Sequence, residues 1–189
     1  YTHACPSGMI VRKNLIFQNT ASIGGGICCN ARDRSQIVGN TIWNNAAEYA
    51  SGIISYNYSD ILIANNIIAD NDGGKGLWVH SNASATIECN DVWNNTPVNY
   101  HGPDATGMNG NISVDPRFCS IALPDLRLQI SSPCLPGQHP DGVDCGIIGA
   151  VDRTCSVTPG ACCFGIECGI VFRNLCEANG GYFLGEGSA

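Results

Sequence analysis

Residues 39–45 read GNTIWNN, and the same grammar returns as NNIIADN at 65–71 and CNDVWNN at 89–95. Each copy has an asparagine, a β-branched residue two places on, and a second asparagine three places after that. Aligned on the first asparagine, the copies run Asn14–Asn19, Asn40–Asn45, Asn66–Asn71 and Asn90–Asn95, at intervals of 26, 26 and 24 residues. A second marker keeps step: GGI ends at Ile27, SGI at Ile53 and KGL at Leu77, each glycine standing 14 residues before the next repeated asparagine. Two markers in constant register identify an internal repeat, and a repeat of this length implies stacked supersecondary units.

Within a unit the apolar residues alternate over short stretches, as at Ile61 and Ile63, which is strand spacing broken by turns. About 25 residues of short strand cannot bury an apolar face alone, so each unit must stack on its copies. Equivalent residues then lie ~4.8 Å apart, the spacing of paired strands. The coil predicts two asparagine ladders, Asn14, Asn40, Asn66, Asn90 and Asn19, Asn45, Asn71, Asn95, in which each amide donates to one neighbour and accepts from the other. Beside them Ile16, Ile42, Ile68 and Val92 form an apolar stack. The glycines before Ile27, Ile53 and Leu77 suit a corner needing positive φ or close backbone approach. Cys29, Ser55 and Val79 share an inward column, while Trp43 and Trp93 share a column interrupted by Ala69.

Composition agrees. Charged residues are 13% and aromatics 7%, and 23 glycines favour strands and turns over helices. The net charge of −7 excludes a nucleic-acid binder, which needs clustered Lys and Arg. Twelve cysteines without zinc-type spacing point to disulfides and an oxidising compartment. GACCFGIEC lacks a second pair or a nearby His and reads as disulfide chemistry, not a metal site. No apolar run approaches the ~20 residues of a membrane span. The opening YTHACPSGM carries no signal peptide and reads as a trimmed product.

GGGI followed by IVGNTIWNN resembles the right-handed parallel β-helix repeat proteins of the pectin-lyase-like class, in their bacterial secreted and surface forms. The resemblance implies an all-β solenoid over residues 1–155. GNISVDPRFC, LRLQISSPCLPG and DCGIIGAVDRTC look like its closing segment, 110–155. On that likeness Cys119, Cys134, Cys145 and Cys155 pair among themselves, Cys119 with Cys134 and Cys145 with Cys155 as first choice among three connectivities. Residues 156–189 resemble the small cysteine-rich repeats that follow such coils, held by Cys162, Cys163, Cys168 and Cys176, since about thirty residues need staples. Cys5, Cys28, Cys29 and Cys89 are left without assigned partners.

Many members of the class cleave acidic polysaccharides, so the resemblance raises an enzymatic reading. A hydrolase needs paired carboxylates, and a lyase needs a calcium cluster with an Arg or Lys base. Asp33, Glu48, Asp60, Asp70, Asp72, Glu88 and Asp91 do not recur in register. Asp70 and Asp72 in ADNDGG offer the best calcium loop, and a polar turn is the simpler reading. His101 in YHG lacks the companion motifs of polygalacturonases and reads as a loop residue; His3, His80 and His139 read as solvated loop residues. No catalytic or cofactor residues are therefore assigned. Asn57, Asn82, Asn94 and Asn111 fit the glycosylation sequon, a match expected by chance in so Asn-rich a chain. Trp43, Trp78 and Trp93 can stack sugars if exposed.

The coil also begins partway through a turn, leaving a strand edge that invites another chain. The sequence thus points to an extracellular or cell-surface structural protein, a self-stacking filament subunit, stalk or adhesin. A carbohydrate-active or glycan-binding β-helix is the alternative.

Overall fold

The computed structural model describes residues 2–3, 8–102, 104–122, 124–151, 154–155, 160–171, 176 and 179–186. Cys5 and the side chain of His3 lie outside the described residues. Every regular element described in full is a strand. The chain divides into two compact units, Tyr1–Pro116 with Ser132–Asp152, and Arg117–Ser131 with Arg153–Ala189. The division thus falls inside the expected closing segment, grouping residues 117–131 with the cysteine-rich tail.

The first unit is a parallel coil. Turn one holds β1 (Thr2–His3), β2 (Ile10–Arg12), β3 (Leu15–Phe17) and β4 (Thr20–Ala21). Turn two holds β5 (Ile27–Asn30), β6 (Gln36–Val38), β7 (Thr41–Trp43) and β8 (Ala46–Ala47). Turn three holds β9 (Ala50–Ser55), β10 (Asp60–Ala64) and β11 (Ile67–Ala69), and turn four holds β12 (Lys75–Val79), β13 (Ser84–Glu88) and β14 (Asp91–Trp93). A fifth begins with β15 (Val98–His101). Like strands pair in parallel into three walls: β1-β5-β9-β12-β15, β2-β6-β10-β13 and β3-β7-β11-β14.

Register explains the core. Ile16, Ile42, Ile68 and Val92 pair in sequence across the third wall, and the last three are completely buried. Ile27, Ile53 and Leu77 line the first wall, and Val11, Ile37, Ile63 and Ile87 the second. Cys29, Ser55 and Val79 are in register, and Cys29 is buried with the core. Each fully buried isoleucine contributes roughly 2–3 kcal/mol by removal from water.

Both asparagine columns form hydrogen-bonded ladders. Asn14 Nδ2 donates to Asn40 Oδ1, Asn40 Nδ2 to Asn66 Oδ1, and Asn66 Nδ2 to Asn90 Oδ1, each at 3.0 Å. Asn111 adds one more member, accepting from Asn90 Nδ2 at 3.0 Å. The second column links Asn19, Asn45, Asn71 and Asn95 at 2.8–3.0 Å, and Asn99 closes it. Each acceptor oxygen also takes the backbone N–H of the asparagine before it, as Asn66 Oδ1 does from Asn40 at 2.9 Å. Buried amides are thereby satisfied, which is the condition for placing them inside at all.

Of the two reasons expected for the glycines before Ile27, Ile53 and Leu77, close approach holds and positive φ does not. Positive φ does not occur at Gly26, Gly52 or Gly76; it occurs at the residue before each ladder asparagine: Lys13, Gly39, Asn65 and Cys89 in one column, Gln18, Asn44, Asp70 and Asn94 in the other. Asparagine tolerates this left-handed conformation better than most side chains. The doublets Asn44-Asn45, Asn65-Asn66 and Asn94-Asn95 therefore divide two tasks: the first residue turns the chain and the second enters the ladder. Gly26 and Gly52 are glycines through close approach, since a Cβ on Gly26 would stand 2.6 Å from the Gly52 carbonyl oxygen.

Residues 132–151 do not cap the end of the coil. They run back along the outside of the third wall as a strap: Cys134 meets Asp91 in turn four, Gly149 N–H donates to Asn65 O at 2.7 Å, Ala150 N–H to Thr41 Oγ1 at 3.0 Å, and Lys13 Nζ to Gly149 O at 3.0 Å. Thr41, Ile67 and Asp91 are buried beneath it. The pairing expected among the four closing cysteines is corrected by the structure. Cys145 bonds Cys89 and anchors the strap; Cys134 is a buried thiol. Cys134, expected to pair with Cys119, instead lies buried with its thiol on Asp91, while Cys119 bonds Cys155.

The second unit is described separately. Its strands β16 (Phe118–Ser120), β17 (Asp125–Gln129) and β18 (Thr154–Cys155) form one small sheet, closed by Cys119–Cys155. An antiparallel sheet of β19 (Gly160–Phe164), β20 (Glu167–Val171) and β21 (Tyr182–Glu186) carries Cys162–Cys176 and Cys163–Cys168.

Candidate functional site

The outer face of the first wall carries a column that the repeat generates directly. Cys28, Ile54, Trp78 and His101 pair across successive turns, alternating with the inward residues of the same strands. Cys28 and Ile54 are buried there with Ala50, covered by Ile23, Tyr56 and Trp78. The column then opens. Tyr49 stacks on Trp78 with centroids 6.4 Å apart and planes at 23°, and His101 meets the indole edge-on at 4.7 Å. His80 lies 5.7 Å away, and Lys75 Nζ sits 4.6 Å over the indole. Tyr49 is half exposed at 49%. The result is an aromatic surface edged by nitrogen donors, carried by strand residues Lys75, Trp78 and His101 and by Tyr49 and His80 immediately beside strands β9 and β12. Such a surface can stack against a flat apolar face and donate hydrogen bonds at its margins.

His101 and His139 depart from their reading as solvated loop residues, whereas His80 lies, partly buried, in the turn after β12. His101 ends strand β15 instead of lying in a loop. His80 shares a hydrogen bond with Asn82 Oδ1 at 2.9 Å. His139 is buried, its Nε2 2.9 Å from the Gly110 carbonyl oxygen. Alternating register signals that His101 and Trp78 share a face, but register across turns becomes legible only once the two-residue shortening of turn four is placed.

Trp43 and Trp93 take the outer side of the third wall with Ala69 between them, and Phe17 extends the column. Trp43 is buried and donates from Nε1 to Asp70 Oδ2 at 2.8 Å. Asp70 Oδ1 accepts from Asn94 Nδ2 at 2.7 Å, so both carboxylate oxygens already hold partners in the turn. Asp72 bridges Ala46 through the backbone. Among the described residues no group of three or more His, Cys, Asp or Glu is arranged to hold a metal ion. Of the remaining acids on the coil, Asp33 and Asp91 are buried and Asp60 accepts Ser84 Oγ at 2.6 Å.

Asp91 is the unusual one. Its Oδ1 accepts Val114 N–H at 3.1 Å, and the Cys134 thiol donates to Oδ2 at 3.3 Å. Burial pushes its carboxyl up to about 7, while the Val114 and Cys134 hydrogen bonds partly offset this. Burial, together with the facing Asp91, holds Cys134 well above the ordinary thiol range. No repeat or motif marks this pair, which forms only because the strap returns over the wall.

A family model describing the right-handed β-helix region matches residues 2–117, more than half of the chain. No curated protein and no solved structure matches it. With the parallel walls, the stacked ladders and this match together, the chain belongs to the right-handed β-helix family.

Proposed function

We propose that this protein is an extracellular, non-enzymatic adhesive scaffold whose outer first wall binds a glycan. The observation that carries the reading is the cluster of Tyr49, Trp78, His80 and His101 with Lys75 over the indole, drawn from successive turns onto one face. Sugar rings offer apolar C–H faces and hydroxyl edges, which match a stacking surface flanked by donors. Four disulfides fit an oxidising, extracellular setting. A glycan array followed by calorimetry tests the proposal. Saturable binding lost on Trp78→Ala, with the coil's melting unchanged, supports it; binding indifferent to Trp78→Ala overturns it. Release of shortened or unsaturated sugars would favour the carbohydrate-active alternative instead.

A second reading concerns self-association. β2 and β3 are the outer strands of their walls among the described residues, and Ile10 and Leu15 there are 63% and 45% exposed. The ladder bonds run one way, so Asn14 and Asn19 accept nothing from another ladder member. An added parallel strand, from a second copy or from residues upstream in a longer chain, would continue both columns. Sedimentation against concentration separates the cases. Self-association abolished by Leu15→Lys supports stacking of copies; a monomer at all concentrations assigns the edge to its own chain.

A further inference from the structure

The fifth turn is incomplete in one wall only. The first wall continues into it through β15 and the third through the Asp91–Ile112 bridge, whereas β13 ends the second wall. Residues 104–110 form turns where a strand would have covered β13. The inward side chains Ala85 and Ile87 are consequently only partly buried, and a cavity of about 230 Å³ opens beside them. Leu77 and Val79 supply more of its apolar lining. A cavity near 150 Å³ suffices for benzene, so this one has room for a ring with a short substituent.

Two polar groups fix what the substituent is. Tyr100 lines the cavity, and its hydroxyl is buried without a hydrogen-bond partner of normal geometry, beside the Thr106 side chain. An unsatisfied buried hydroxyl is costly and is met by a ligand or water. Asp104, also in the lining, is exposed at the mouth and fixed by accepting Thr106 N–H at 2.9 Å. Its charge bears on the phenol, which burial first and Asp104 second hold above the ordinary tyrosine range. A carboxylate at the mouth repels anions and favours a cationic head.

We infer that the end of the coil binds a small aryl or alkyl monoamine, its apolar body among Leu77, Val79, Ala85 and Ile87 and its ammonium between Tyr100 Oη and Asp104. The site shares His101 with the outer aromatic face, but its apolar lining is the inward side of the strands, and it does not depend on the glycan reading. The test is an NMR titration of the labelled protein with benzylamine, benzyl alcohol and phenylacetate. Benzylamine should give saturable shifts confined to Leu77, Ala85, Ile87 and Tyr100 and their neighbours, with benzyl alcohol about fivefold weaker and phenylacetate without saturation. Asp104→Asn should bring benzylamine to the level of the alcohol, and Ala85→Phe should fill the cavity and abolish both. Non-saturable benzylamine shifts, equal binding of phenylacetate, or full benzylamine affinity in Asp104→Asn overturns the inference. Should Ala85→Phe fail to fold, Asp104→Asn decides alone, because its side chain is on the surface.

Discussion

Asn40 donates from its Nδ2 and from its backbone N–H to a single oxygen, Asn66 Oδ1, at 3.0 and 2.9 Å, across a sequence separation of 26 residues. Asn66 Nδ2 in turn donates to Ile37 O at 2.8 Å and to Asn90 Oδ1 at 3.0 Å. One side chain thus joins three turns.

Replacing that side chain removes an acceptor and a donor at once. Asn66→Leu, close in size, leaves the buried Asn40 backbone N–H without its acceptor and takes one hydrogen bond each from Asn40 Nδ2, the Ile37 carbonyl oxygen and Asn90 Oδ1, at a cost of about 3 kcal/mol or more. Asn14→Leu, at the exposed end of the same column, should cost about 1 kcal/mol. Urea unfolding measures both. Equal losses at the two positions would mean that the ladder carries little of the coil's stability.

The glycine column predicts a steric effect. A Cβ on Gly52 would stand 2.7 Å from Ile68 Cγ2 and closer still to the Gly76 carbonyl oxygen, and the backbone there cannot shift without dragging the paired turn. Gly52→Ala should lower stability by about 3 kcal/mol. Thermal melting within about a degree of the parent would show that the first wall tolerates separation.

How far these features could be seen in advance depends on whether the repeat expresses them. Ile42, Ile68 and Asn66 were legible because each recurs at every turn, so position in the repeat fixes position in space. The Trp78–His101 contact was half legible: alternation gives the face, but the shortened turn four obscures which residues align. The strap was illegible. Cys145 meets Cys89, and Cys134 meets Asp91, through a non-repetitive segment whose path follows from packing on Thr41 and Ile67, with no periodic signal to announce it. The left-handed corners were hidden for another reason: Lys13, Gln18 and Cys89 occupy them although none favours that conformation, so the doublets of asparagine show the rule and the other turns conceal it.

The strap's anchor is testable separately from the coil. Cys89–Cys145 closes a loop with a sequence separation of 56. Removing it by the paired Ala substitutions should cost about 4 kcal/mol through the freedom restored to the unfolded chain. Hydrogen exchange should accelerate at the Gly149 and Ala150 amides, whose bonds to Asn65 and Thr41 depend on the strap lying down, and far less at Gly26, which bonds Gly52 in the first wall. Uniform acceleration across both would mean that strap and coil open as one unit.

Asp91 makes stability depend on pH in a direction opposite to most carboxylates. Its folded pKa is raised from 3.8 to about 7, so the folded state holds a proton that the unfolded chain has released. The stabilising contribution is fully present below the unfolded value, declines as pH rises from about 4, and is gone above about 7, a span on the order of 4 kcal/mol. Cys134, held well above the ordinary thiol range, stays protonated throughout that window and keeps donating to Asp91. Asp91→Asn carries no titrating group while retaining an oxygen for Val114 N–H, and should flatten the profile between pH 4 and 7. Unfolding free energies measured across that range in both proteins check it. A parent curve that rises with pH there, or a variant with the same slope, would place the proton elsewhere than on the carboxyl beneath the strap.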